Sequence, residues 1–323
     1  MEMEGIRDFR QIFESIEKEV KRVIIGQEEI IRNMLFGIIA GGNVLMEGTP
    51  GLGKTQLIKT LSQVLDLSFA RIQFTPDLMP VDILGTVMID KKEEGFGFTF
   101  QKGPIFSSLI LADEINRATP KTQSAMLEAM QEGTVTIGNN TYDLPKPFFV
   151  LATENPLEME GTYPLPEAQL DRFMIKLRIS LPSMESLSRI IDLTTGAHED
   201  VKMEKVVNKE EIIKMKEIAM KLPIALPVKE YAIRIMLATH PQESQIQSVK
   251  DYVKCGVSPR GIQSMIKAAK VKALAEGRFN VSHSDIESMS YPCLRHRIFM
   301  NFRAMSNKID ADDIIKEIIK KVK

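Results

Sequence analysis

Cysteine and histidine are scarce in this chain, which has 2 cysteines and 4 histidines in 323 residues. Cys255 and Cys293 lack the paired spacing of a metal knuckle, and His198, His240, His283 and His296 are scattered along the chain. The sequence therefore offers no zinc site, and the two thiols read as reduced groups of a cytosolic protein. An excess of one charge is also missing: 42 basic residues face 43 acidic ones, a formal net charge of -1. No global basic field invites nucleic acid, which leaves only a local basic groove open. Long apolar runs are absent, so no transmembrane segment is expected. The opening MEMEGIRDFR is too acidic and polar for a secretory leader. Neither internal repeats nor low-complexity tracts occur, and the expected setting is the cytoplasm.

What is present is an ordinary globular composition, 44% hydrophobic and 26% charged. The length suits two domains, or one domain with a lid. At the start, Ile6, Phe9, Phe13, Ile16, Val20 and Val23 recur at three- and four-residue steps, which predicts an amphipathic helix packed on its own domain. From about Val23 to Leu181, short apolar runs alternate with helical patterns. Strands are expected at Asn43–Met46, Leu109–Ala112 and Phe148–Leu151, with a helix over Lys54–Leu65. Strands alternating with helices predict an α/β fold, a mostly parallel sheet with helices on both faces. Beyond Pro182 the pattern is helical with no convincing strand, and Ser258-Pro259 marks a strong helix start. The expected division is an α/β core over 1–182 and an all-α C-terminal part over 183–323.

Gly48-Thr49-Pro50-Gly51-Leu52-Gly53-Lys54-Thr55 fits the phosphate-loop pattern and lies between an apolar strand and a helix. Glycines let the backbone amides converge on phosphate oxygens, and the helix N-terminus adds positive potential. Lys54 is expected at the β- and γ-phosphates, and the Thr55 hydroxyl on Mg²⁺. A second apolar strand ends in Asp113-Glu114. Alone, such a pair reads as solvated acids at a strand end. Downstream of a phosphate loop it reads as a carboxylate for hydrated Mg²⁺, Asp113, beside one that polarises the attacking water, Glu114. ATP and Mg²⁺ are the expected cofactors.

The pairing of GTPGLGKT with LILADEINRA resembles AAA+ ATPases, and further segments resemble the MoxR family: EGTYPLPEAQLDRF at 160–173, VSPRGIQSMIKAAK at 257–270 and LRHRI at 294–298. The first of these is highly specific, whereas the phosphate loop is common to many families. The resemblance implies a P-loop AAA+ core with a helical lid. It also implies roles for residues that would otherwise read as a turn cap or surface charges. Gly26 and Gln27, in Ile25-Gly26-Gln27, would lie on the adenine side. Asn155, in Leu151–Pro156, would be the sensor for the attacking water, with Glu154 departing from the usual glutamine. Arg172 would be the arginine finger given to a neighbouring subunit, and Arg260 the lid sensor.

Gly85–Gly103 reads as a hairpin whose Phe96, Phe98 and Phe100 share one face. A second hairpin pairs Thr134–Ile137 with Thr141–Leu144. Two such insertions resemble the AAA+ branch that includes MoxR proteins and magnesium-chelatase motors, where they face a ring pore or a partner; a hairpin packed on its own domain is the equal alternative. Arg295-His296-Arg297 reads as helix-surface residues in a lid contact in preference to a phosphate-binding cluster, and Met126 with Met130 as gap-filling core in preference to a client groove. The resemblance implies, as the leading function, a ring-forming and hexameric ATPase that remodels protein partners, among them proteins of von Willebrand A type. A chelatase-type motor and an ATP-gated scaffold are the alternatives. A nucleic-acid motor is disfavoured by the balanced charge.

Overall fold

The computed structural model describes residues 3–92, 95–155, 162–195 and 202–322. In chain order the elements begin α1 (Met3–Val20), α2 (Glu28–Ile39), β1 (Val44–Glu47), α3 (Lys54–Val64), β2 (Phe69–Gln73) and α4 (Pro80–Leu84). The hairpin β3 (Gly85–Lys92) and β4 (Gly95–Lys102) follows, then β5 (Leu109–Asp113), α5 (Pro120–Glu132), β6 (Thr134–Ile137), β7 (Asn140–Asp143) and β8 (Phe149–Glu154). Next come α6 (Glu167–Leu170), β9 (Ile175–Arg178), α7 (Met184–Thr195), α8 (Lys209–Lys221), α9 (Leu226–Ala238) and α10 (Gln247–Tyr252). The chain closes with β10 (Val253–Cys255), α11 (Pro259–Ala275), α12 (His283–Leu294), β11 (Phe299–Met300), α13 (Phe302–Ser306) and α14 (Ala311–Val322).

Five strands form one sheet in the order β2-β5-β8-β1-β9. β5 pairs in parallel with β2 on one side and β8 on the other. Every residue of β5 is buried, as are the first five of β8, because both faces of such a strand are covered and an uninterrupted apolar run is the sequence that tolerates this. Two strands escaped the sequence reading, β2 and β9, and they are the two edges of this sheet. β2, FARIQ, buries only Ile72, and β9, IKLR, alternates buried and less buried residues, so neither carries a continuous apolar run. The expectation of no strand beyond Pro182 is corrected by the short antiparallel pair β10–β11. Three residues against two give that pair too little sequence to show a period.

The described chain forms two compact units that are not continuous in sequence, 1–44 with 166–177 and 210–323, and 45–165 with 178–209. The first is mainly helical. Ile6, Phe9, Phe13, Ile16 and Val20 of α1 are all at most 1% exposed, as the helical spacing predicts, whereas Val23 lies beyond the end of the helix. Burial of each such side chain contributes roughly 1.5–3 kcal/mol. α1 packs on α2 and α11, with Phe13 stacked on Phe36 at a centroid distance of 5.4 Å. α14 buries Ile314, Ile315, Ile318 and Ile319 beside α9 and α12.

The second unit contains the phosphate loop and both hairpins. Gly85 to Lys102 pair residue by residue, with Ile89 opposite Phe98 and Val87 opposite Phe100. Phe100 stacks on Tyr142 of the β6–β7 hairpin at 4.4 Å, while Phe98 is 77% exposed. Phe100 thus packs on its own unit and Phe98 does not; the Phe96 side chain and turn residues Glu93 and Glu94 lie outside what is described. Met126 and Met130 are buried, as expected of gap-filling core. No described helix is long and apolar enough to cross a membrane.

Candidate functional site

The loop between β1 and α3 turns on two glycines. Gly51 and Gly53 have φ of 84° and 75°, a region that costs residues with a Cβ, and nothing stands within 4 Å of where either Cβ would be. Gly53 is also the N-cap of α3 and supplies no side-chain cap, so the first amides of an 11-residue helix are left to an anion. Lys54 donates to the Gly48 carbonyl at 2.5 Å. Burial lowers its pKa, and the nearby Asp113 and Glu114 act in the opposite direction, which places the ammonium in the field of both carboxylates.

Asp113 ends β5 at the carboxyl edge of the sheet and is 8% exposed. Its Oδ1 accepts from Thr153 Oγ1 at 2.6 Å, and its Oδ2 accepts from Arg71 Nε at 3.1 Å and Nη2 at 2.7 Å. Glu114 follows with a φ of 56°, a left-handed backbone that is strained for a residue with a side chain. Its amide donates to Thr153 Oγ1 at 2.8 Å, which fixes the turn. Its Oε2 accepts from Gln73 Nε2 and Arg117 Nη1, each at 2.9 Å. Arg71 also donates to Gln73 Oε1 at 2.6 Å, so edge strand β2 lays a chain of hydrogen bonds across both carboxylates.

Besides Arg117, four residues that shape this site were not identified from the sequence. Thr153 had a signal: it lies on β8 two residues before Asn155, which follows the strand, and period-two spacing predicts the same side for both. Arg71 and Gln73 had none, since β2 did not read as a strand. Gln123 of α5 is the fourth, fully buried, with its Nε2 donating to the carbonyls of Ile115 and Ala118 at 3.2 Å and of Tyr163 at 2.8 Å. It anchors the turn that follows Glu114.

The donor set fits a magnesium nucleotide. Thr55 and Asp113 offer hard oxygen ligands of the kind Mg²⁺ takes, and the glycine turns with the start of α3 offer the amides and space a phosphate takes. The 48–55 loop, Asp113, Glu114 and Asn155 all belong to the second unit. Asn155 is 4% exposed just past β8; Pro156, the last residue of its segment, lies outside the described residues, as do Glu160 and Gly161 at the start of the 160–173 segment.

Gly26, Gln27, Arg172 and Arg260 belong to the first unit. Gly26 has a φ of 73° and Gln27 caps α2. Arg172 follows α6, and Arg260 is exposed in the first turn of α11; among the described residues neither guanidinium has an ion pair. The expectation that Arg295-His296-Arg297 sits on a helix surface is corrected for two of the three. Arg297 is 2% and His296 5% exposed, because the main chain at 171–174 brings carbonyl acceptors onto them. His296 Nε2 meets the Phe173 carbonyl at 2.9 Å, and burial pushes the ring's pKa well below the usual histidine value.

Residues 43–175 match the family described as "ATPase family associated with various cellular activities (AAA)", and residues 246–318 match the AAA lid domain. The chain is 39% identical to the chaperone MoxR1 of Mycobacterium tuberculosis over 94% of its own length and 80% of that protein's. It is 27% identical to the protein MoxR of Methylorubrum extorquens, over 91% of this chain and 90% of that one. A crystal structure of a candidate ATPase from Cytophaga hutchinsonii superposes with a TM-score of 0.92 at 40% identity, covering 99% of this chain and 97% of the other.

Proposed function

The chain belongs to the MoxR family of AAA+ ATPases, and on that premise we propose that it binds and hydrolyses ATP to remodel protein partners as a ring-forming chaperone. The observation that carries the proposal is the convergence of Lys54, Asp113 and Glu114 beside a glycine loop that opens α3. The backbone amides of the 48–55 loop, apart from Pro50, which has none, would hold phosphate oxygens, and Lys54 would neutralise the triphosphate. Thr55 and Asp113 would hold the Mg²⁺, which would supply charge neutralisation on the phosphates. Glu114 accepts a proton from the attacking water, its backbone pinned by Thr153 and its carboxylate steered by Gln73 and Arg117.

The remaining roles follow family resemblance. Asn155 orients the water, since an amide both donates and accepts. Arg172 serves the site of the next subunit in a ring, six-membered by resemblance, and Arg260 reads the γ-phosphate from the lid. Gly26 and Gln27 border the adenine. The functional division is a core over 1–182 and a lid over 183–323. The exposed cross-strand pair Ile89 and Phe98, 65% and 77% exposed, supports a protein partner, for which a von Willebrand A-type protein is proposed. The deciding experiment is Glu114→Gln. ATP binding is expected to persist while turnover falls by roughly 10²–10⁴, the usual contribution of a positioned base. Equal turnover in mutant and wild type overturns the assignment.

A further inference from the structure

Arg71 and Gln73 lie two residues apart on β2, whose parallel register sets Gln73 opposite Asp113. That spacing turns both side chains to one side of the strand. Arg71 reaches Asp113 Oδ2 through Nε and Nη2, at 3.1 and 2.7 Å, and Nη2 also donates to Gln73 Oε1 at 2.6 Å. The guanidinium is therefore anchored from two sides, although its side chain is half exposed. Thr153 Oγ1 donates to the other carboxylate oxygen, Oδ1, at 2.6 Å. Both oxygens of the buried Asp113 carboxylate are thus engaged by donors of the chain itself.

The balance of charge around the two adjacent carboxylates agrees with this. Glu114 Oε2 is paired with Arg117 Nη1 at 2.9 Å, and Lys54 lies in the field of both Asp113 and Glu114. Three cationic side chains, Lys54, Arg71 and Arg117, thus surround two carboxylates. A dication that approaches alone meets repulsion from one ammonium and two guanidiniums, and Asp113 is already neutralised. Mg²⁺ gives up hydration water reluctantly, so a carboxylate shared with a guanidinium offers it little. A triphosphate on the 48–55 loop reverses the balance, because it adds several negative charges and oxygen ligands of its own.

We infer that Arg71 is a built-in counter-ion that closes the empty site to free divalent cations, so that the site accepts a metal only with, or after, a triphosphate. The inference rests on the proposed role of Asp113 as metal ligand, and adds the residue that makes metal binding conditional on nucleotide. Arg71 is a positioning residue in this sense: it acts on Asp113 and not on the reacting atoms.

Mn²⁺, a paramagnetic substitute for Mg²⁺, tests it on the intact chain, because its electron paramagnetic resonance signal in solution is lost on binding. Three proteins are titrated with Mn²⁺ in the absence of nucleotide. They are the wild type, Arg71→Gln, which keeps hydrogen-bonding groups without the charge, and Arg71→Lys, which keeps the charge. Arg71→Gln is expected to bind Mn²⁺ roughly 5–30-fold more tightly than the wild type, and Arg71→Lys to stay close to it. Adding Asp113→Asn to Arg71→Gln is expected to remove the gain. A parallel titration of the wild type and Asp113→Asn, with a non-hydrolysable ATP analogue present, checks the underlying assignment. If Asp113→Asn leaves that affinity unchanged, the metal role of Asp113 falls and this inference falls with it. If Asp113→Asn weakens it, three results overturn this inference alone: no gain in Arg71→Gln, an equal gain in Arg71→Lys, or a gain that survives Asp113→Asn.

Discussion

Arg71→Ala is expected to lower the Mg²⁺ concentration that the protein needs to bind ATP. Arg71 holds Asp113 Oδ2 through two nitrogens, at 3.1 and 2.7 Å, and that carboxylate is the one proposed for the cation. Mg²⁺ and the guanidinium therefore compete for one charge. Charge-assisted hydrogen bonds contribute about 1.5–3 kcal/mol each when shielded. The Arg71 side chain is 48% exposed, so solvent screening cuts this substantially. About 1–2 kcal/mol remains, which corresponds to roughly 5–30-fold in an equilibrium constant. The assay is a titration of a fluorescent ATP analogue at stepped Mg²⁺ concentrations, with an arm in chelator to isolate the metal-independent affinity. The Mg²⁺ midpoint is expected to fall by that factor while the chelator arm stays level or weakens, since a positive charge near the phosphates has been removed. An unchanged or raised Mg²⁺ midpoint refutes the competition and assigns Arg71 to structure alone.

Two further outcomes are expected. Thr153→Val removes the one hydroxyl that serves both Asp113 and the Glu114 amide in a fully buried position, so stability is expected to fall by about 1–3 kcal/mol, read as a shift in the urea midpoint, and turnover to fall with it. Unchanged turnover in Thr153→Val would show that the strained Glu114 turn holds without it. His296 is buried, with Arg297, Lys176 and Arg295 near it and a folded pKa far below that of the unfolded chain. Below about pH 6.5 the unfolded state then binds the extra proton, so stability is lost as pH falls, by up to about 1.4 kcal/mol per unit for this one group. Urea midpoints between pH 7.5 and 5.5 are expected to decline in the wild type and to flatten in His296→Gln; equal slopes contradict a neutral buried ring.

The sequence determined the parts whose physics is local. A phosphate loop needs glycines at two left-handed positions and a helix start behind them, and GTPGLGKT shows all of this within eight letters. The interior strands β1, β5 and β8 were legible because burial on both faces demands uninterrupted apolar runs. Both hairpins and the start of α11 were legible from turn residues and an N-cap. Tertiary structure decided what depends on distant neighbours. Edge strands β2 and β9 meet one strand instead of two and mix polar with apolar residues, so the sheet made them strands where their own pattern did not. With β2 came Arg71 and Gln73, which reach carboxylates 41 and 42 positions away. Ser258 read correctly as a helix start, but only the fold turned its hydroxyl toward Asp171, 87 positions earlier. Arg297 looked like a surface charge because arginine is rarely buried without a partner. Its partners are main-chain carbonyls and a carboxylate more than a hundred residues upstream, and no local pattern encodes a hydrogen bond across that distance.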